Sequence, residues 1–306
     1  MPQEILTYTN ELGNSITFSA LGLYHMKNVT GLSDMKNTIF SISAMGQDGD
    51  TYVGSRIESR DIEIVGAIRS RNTLEVQNLR RRLYQTMNPK LKATLTYTYG
   101  AFSRVIDCTP DNAPVFRNGP VLQEFTIQLS CLNPFWRDPA EIRMDMAAWY
   151  GLFEFELEIP MGGPLTVSGD QPARAGIQGG IEMGSREPSL ILNVHNDGDV
   201  PTGMRVDFRA TGSVVNPELF NLVTREFLLF NMTLIAGDVL SVSTHFANKT
   251  IILYRGGVEI NAFRYFDADS TFIQLNVGDN IFRYGADVNS ENLEVSIYFN
   301  NQYLGV

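Results

Sequence analysis

Histidine and cysteine are scarce in this chain of 306 residues, which has three of the first and two of the second. His25, His195 and His245 share no metal-ligand or general-base spacing, so each reads as a structural residue. Cys108 and Cys131 fall in strand-like stretches. Two cysteines make neither a disulfide framework nor a zinc cluster, and reduced, half-buried thiols are expected. No apolar run approaches the roughly 18 residues that a membrane span requires. The opening segment has neither a basic leader nor an apolar core, so no secretory signal is expected. Gly-x-Ser-x-Gly elbows, phosphate-cradling loops and His-Glu-x-x-His motifs are all missing. Asp48-Gly49-Asp50 and Asp267-Ala268-Asp269 lack the ligand series of a calcium loop and read as turns. The expectation is a protein that is not an enzyme, with no catalytic, metal or cofactor-binding residues and no cofactor.

What is present is apolar alternation. The composition, 43% apolar and 19% charged, suits packed cores rather than a disordered chain, and the length suits two of them. Charge divides unevenly: residues 1–138 carry 14 basic and 13 acidic side chains, the remaining 168 carry 10 and 21. An acidic second half repels phosphates and argues against general affinity for nucleic acid.

The stretch Phe125–Asp138 anchors the reading. Phe125, Ile127, Leu129 and Cys131 alternate with polar residues as a half-buried strand. Asn133-Pro134 stops the pattern, and Phe135 and Trp136 follow at once. Pro134, Phe135 and Trp136 are expected to latch the first domain onto the second. Upstream, Ile62, Ile64 and Ile68 alternate, with Gly66 marking a bulge or a close backbone approach. Asn72 and Glu75 form a capping-box pattern, and Val76, Leu79, Leu83 and Met87 make one helical stripe over residues 72–87. Arg81 stands opposite that stripe. Leu91–Tyr99 and Ser103–Cys108 read as strands. Past residue 138 a Gly- and Pro-rich stretch to residue 188 reads as a linker or extended segment. Short strands with regular turns then fill residues 189–306, among them Phe227–Phe230, Leu240–Phe246, Phe272–Leu275 and Leu293–Phe299. The fold class is mainly β in two domains. Residues 1–138 form an antiparallel β-sandwich with one packed helix, and 189–306 a second sandwich of the galectin or carbohydrate-module kind.

Cys131-Leu-Asn-Pro-Phe-Trp-Arg-Asp138 resembles the signature that ends the first domain in distal tail proteins of long-tailed bacteriophages. Gly54-Ser-Arg-Ile57, the Asn72 helix, Asn196-Asp-Gly-Asp-Val-Pro-Thr-Gly203 and Tyr303-Leu-Gly-Val306 are similar to further parts of that family. The resemblance implies a structural protein forming a hexameric ring at the virion tail tip, assembled in the host bacterial cytoplasm and serving host adsorption. Implied partners are other copies of itself, the tail tube protein, and the tape-measure and tail-associated proteins. A receptor-binding protein would sit on the C-terminal domain. Asn37–Gly54 is a candidate arm for the ring contact, making Asn37, Gln47, Asp48 and Asp50 candidate interface residues; Arg81, on the helix, is a further one. The alternative is a carbohydrate-binding module or glycan-active protein acting on host cell-wall polysaccharide.

Overall fold

The computed structural model describes residues 3–46, 48–70, 72–117, 123–150, 185–188 and 191–306. The first half runs β1 (Glu4–Asn10), β2 (Ser15–Ser19), β3 (Tyr24–Thr30), β4 (Asn37–Ile42), β5 (Thr51–Ile57) and β6 (Arg60–Ile68). Helix α1 (Thr73–Thr86), β7 (Ala93–Tyr99), β8 (Phe102–Pro110), β9 (Val115–Arg117), β10 (Gln123–Cys131) and β11 (Trp136–Arg137) follow. Next come β12 (Ile142–Asp145), β13 (Ala147–Tyr150), β14 (Ser185–Pro188), β15 (Ile191–Asn196), β16 (Met204–Ala210), β17 (Val214–Asn221) and β18 (Phe227–Leu229). The chain closes with β19 (Thr233–Leu234), β20 (Val239–Ser243), β21 (Thr250–Arg255), β22 (Val258–Asn261), β23 (Gly278–Val288), β24 (Leu293–Phe299) and β25 (Gln302–Tyr303).

Strands β8, β7, β1, β2, β3, β6 and β10 pair in that order, and β10 returns to β8, so the first sheet closes into a barrel. Closure removes the exposed sheet edge that would otherwise invite foreign strands. The pair β2–β3 is parallel, which departs from the antiparallel expectation at one place. Alternation supplies the lining: Leu6, Tyr8, Phe18, Ile64, Leu95 and Ile127 are buried. Gly66 is the close approach its position suggested. A Cβ there would lie 2.4 Å from Phe125 Cζ and 2.6 Å from the His25 carbonyl, and the bulge itself sits on the partner strand at Met26/Asn28.

Helix α1 packs Leu79, Leu83 and Met87 into the barrel core. Asn72 caps it by accepting from Leu74 N at 2.9 Å. Glu75, however, accepts from the Ser70 hydroxyl instead of reaching back to Asn72, whose own N–H donates to Ser70 Oγ at 3.1 Å. Tyr24 OH donates to Leu79 O and Asn10 Nδ2 to Thr86 O, both at 3.0 Å, tying the helix to the barrel.

The second half is a sandwich of two antiparallel sheets, β12-β24-β16-β20-β21-β22 and β15-β23-β17-β18, with β19 paired to β17. Phe208, Leu219, Phe230, Leu240, Phe282 and Ile297 fill the space between them. The segment Phe272–Leu275 is not a ladder strand; among the described residues its strand-like pairing is the isolated Thr202–Leu275 bridge, with Gln274 Nε2 donating to Thr244 O and Asn196 Nδ2 to Leu275 O. Part of the expected linker, Ile142–Asp145, is an edge strand of the first of these sheets. The rest of 139–188 lies mostly outside the described residues.

Strand β11 pairs with β8 on one side and with β25 on the other, so the barrel sheet takes in residues from beyond the sandwich. Arg60, 3% exposed, sits at this junction. Its Nε donates to Pro134 O at 2.8 Å, and its Nη1 to the carbonyls of Gly31 (2.9 Å), Leu32 (2.7 Å) and Asp34 (3.2 Å). Its Nη2 donates to Leu304 O. The guanidinium fork suits this, because it offers five donors in fixed directions.

Two stability outcomes are expected. Arg60→Met removes the guanidinium from five carbonyls, of which, among the described residues, Leu32 O alone keeps another donor, Trp136 Nε1, and costs about 3–5 kcal/mol in denaturant unfolding. Arg60→Lys recovers only part of this, since an ammonium has three donors; a lysine variant as stable as the native chain contradicts the assignment. In the sandwich, burial alone would raise the Asp238 pKa, but hydrogen bonds from Arg255 and Ile235 N outweigh it and hold the carboxyl below its ordinary range. Such a group stabilises above the unfolded value of about 4, and the contribution fades as pH falls through the folded value. The stability gap between the native chain and Asp238→Asn therefore narrows between pH 7 and pH 3 in urea titrations. A gap independent of pH contradicts this.

Candidate assembly surfaces and the interdomain seam

Strands β4 and β5 pair with each other as a separate two-stranded sheet that stands off the barrel. Ile39, Phe40, Ile42, Met45, Tyr52 and Val53 on this hairpin are each more than half exposed. Neighbouring residues of a strand point to opposite faces. Ile39 and Phe40, paired with Ser55 and Gly54, therefore put apolar side chains on both faces, and Val53 is the extra residue of a bulge beside Tyr52. Local bonds hold the shape: Ser41 Oγ to Asp50 at 3.0 Å, Tyr52 OH to Ser55 Oγ at 3.0 Å, and Glu58 N to Lys36 O at 2.9 Å at the base. An isolated two-stranded hairpin is marginal in water, and an apolar surface of this kind marks a contact site.

Asn37 opens the hairpin opposite Ile57, and Asp48 and Asp50 lie exposed near its tip. Gln47 lies outside the described residues. Arg81 is exposed on α1, a different element. Its neighbours are engaged: Arg80 stacks 4.5 Å from the Phe116 ring centroid, and Arg82 donates to Ser15 O at 3.3 Å.

Of the three residues expected to latch the domains, Trp136 is fully buried in the barrel core and donates from Nε1 to Leu32 O at 2.9 Å. Pro134 offers its carbonyl to Arg60. Phe135 lines a cavity of about 800 Å³ between barrel and sandwich, across from His245 and Phe246, with Lys92 and Asp107 on its polar side. Beside it, Asp138 accepts from Arg104 (2.6 Å), Asn301 Nδ2 (3.1 Å) and Tyr303 OH (3.2 Å). The Arg104 guanidinium lies 3.8 Å from the Tyr303 ring centroid. Sequence reasoning missed Arg60, Asp138, Asn301 and Tyr303 as a group. No periodicity joins residues so far apart, and only the Cys131–Asp138 and Tyr303-Leu-Gly-Val306 resemblances touched on Asp138 and Tyr303.

The scarce residues are placed as follows. His195 Nδ1 lies 2.7 Å from Asp279 and its Nε2 3.2 Å from Asp197, and the hydrogen bond to Asp279 raises its pKa. Burial lowers that of His245. Both thiols are free and buried, and burial pushes Cys131 up to about 12 and Cys108 higher still, which makes them inert. Among the described residues, no group of three or more His, Cys, Asp or Glu is arranged to hold a metal ion. Among them also, no helix is long and apolar enough to cross a membrane. In the second domain the rings of Phe263, Phe266 and Phe272 cluster in tilted contacts, Phe266 and Phe272 with centroids 4.8 Å apart.

Comparison with known proteins agrees with this architecture. Residues 12–131 match a phage tail protein RIFT-related domain, and residues 197–303 match the C-terminal domain of siphovirus-type tail components. No curated protein matches. Among solved structures, the Dit protein of phage SPP1 superposes with a TM-score of 0.65 at 14% identity, covering 97% of this chain and 98% of that one. A chain of the phage p2 baseplate in its calcium-activated conformation gives 0.53 at 11% identity over the whole of both chains. At these identities the superpositions speak for the fold alone. The two domain matches, in this order on a closed barrel and a sandwich, identify the family: the chain belongs to the siphophage distal tail proteins, structural components of the virion tail.

Proposed function

We propose that six copies of this chain close a ring at the tip of the tail. The ring joins the tail tube to the tape-measure, tail-associated and receptor-binding proteins used in host adsorption. The observation that carries the reading is the β4–β5 hairpin. Its apolar side chains face both ways, so no flat surface can cover them; a cleft between neighbouring subunits can. A hairpin on one copy meeting a different surface on the next is a heterologous contact, and such contacts generate rings when the rotation closes. The barrel suits the ring body. Its edges are closed, and residues 1–138 are nearly neutral, so copies pack without strong like-charge repulsion. The acidic sandwiches then face outward, with the surface on which a receptor-binding protein would dock. Among the relatives, SPP1 Dit is described as a hub of the adsorption apparatus in phages of Gram-positive hosts. In this account Pro134, Phe135 and Trp136 fix the sandwich to the ring, and Asn37, Gln47, Asp48 and Asp50 rim the hairpin contact. Arg81 belongs to a second, polar part of the interface.

The expected outcome for Phe40→Glu combined with Val53→Glu is loss of the oligomer in sedimentation velocity. The folded monomer should keep the stability of the native chain within about 1 kcal/mol, because both positions are exposed in the single copy. A double variant that sediments as the native assembly contradicts the hairpin's role. Retention on cell-wall polysaccharide by a chain that stays monomeric at every concentration favours glycan binding instead.

A further inference from the structure

The second domain grips the segment that completes the first. Asn196, 1% exposed, shapes the Asp197–Asp199 turn by accepting from Gly198 N at 2.9 Å and donating to the carbonyls of Val200 and Leu275, each at 3.1 Å. That turn holds residues 301–304 from one side. Asp197 N donates to Asn301 Oδ1 at 3.2 Å, Asp199 N to Gln302 O at 2.8 Å, and Leu304 N to Asp199 Oδ2 at 3.0 Å. Gly198 is pressed so closely that a Cβ would lie 2.5 Å from Gln302 O and 2.8 Å from Gln302 N. From the other side the same residues belong to the barrel. Gln302 and Tyr303 pair with β11, Tyr303 OH reaches Asp138, and Leu304 O accepts from Arg60.

We propose that the Asn196–Asp199 turn and residues 301–304 form a clasp that makes the β8–β11–β25 margin of the barrel sheet, outside the β8–β10 closure, conditional on a folded second domain. A two-residue strand has too few bonds to hold its register unaided, so the turn sets where β25 lies, and β25 sets the edge of β11 and the last acceptor of Arg60. The consequence is a thermodynamic coupling. The β11 edge and the Arg60 site hold their final form together with a sandwich that presents Gln302–Leu304. A chain with a defective sandwich is then also defective at the barrel. This coupling holds whether the chain forms rings or stays single.

Hydrogen exchange read residue by residue on the full chain tests it, using Gly198→Ala and the milder Asp199→Ala. The expected result is at least tenfold faster exchange at the amides of Val105, Arg137 and Tyr303, with sandwich amides such as Val206 and Ile297 and far-wall barrel amides such as Leu6 within twofold of native. Linkage is reciprocal, so Arg60→Lys must in turn speed exchange at Asp197 and Asp199. Acceleration confined to the sandwich, spread evenly over the whole chain, or absent from the turn in the Arg60 variant overturns the proposal. If Gly198→Ala does not fold, the Asp199 and Arg60 variants decide.

Discussion

A buried guanidinium is costly unless each of its donors is met, and that cost is what makes Arg60 the organising group of this molecule. Its partners come from the loop after β3, from the turn between β10 and β11, and from the segment after the sandwich. Each lies far from the others in sequence, and the guanidinium plane fixes all of them at once. Trp136 covers the site and adds its own bond to Leu32 O. Remove the cation and the three segments lose their common reference. The barrel would keep its lining of Leu, Ile and Phe side chains but lose the seam through which the second domain is carried.

How much of this was legible follows from the range of each interaction. Strands with one buried face show themselves by alternation, and β6, β7, β10, β16 and β24 do so clearly. Helix α1 shows itself by its stripe and its Asn72 cap, although Ser70, two positions too early for the capping-box pattern, takes Glu75. Strand β17 was hidden by Asn216 at positive φ and by Pro217 in its interior. Strand β23 was hidden because Asn280, a polar residue, is buried at a position where alternation calls for an apolar one. Asn280 is there to satisfy the carbonyls of Val194, Asn276 and Gly278. Arg60 looks in sequence like any charged residue at the start of a strand. Its role depends on carbonyls that any residue supplies, so no pattern of side chains announces it.

The same division runs through the candidate surfaces. The hairpin was visible as a stretch too long for a tight turn, yet its two apolar faces appear only once β4 and β5 are in register. The nominated Asp48 and Asp50 lie exposed near its tip, while the large exposed apolar side chains are Ile39, Phe40, Tyr52 and Val53. In the proposed ring, closed barrel, exposed hairpin and gripped seam divide the work: one resists unwanted pairing, one would meet a neighbour, and one would fix the outward domain.

The most direct measurement is negative-stain electron microscopy of the purified chain over a range of concentrations. The expected result is closed rings with sixfold averages, the sandwiches projecting from the rim. Isolated particles of one chain at every concentration, or dimers with twofold symmetry, would contradict the ring.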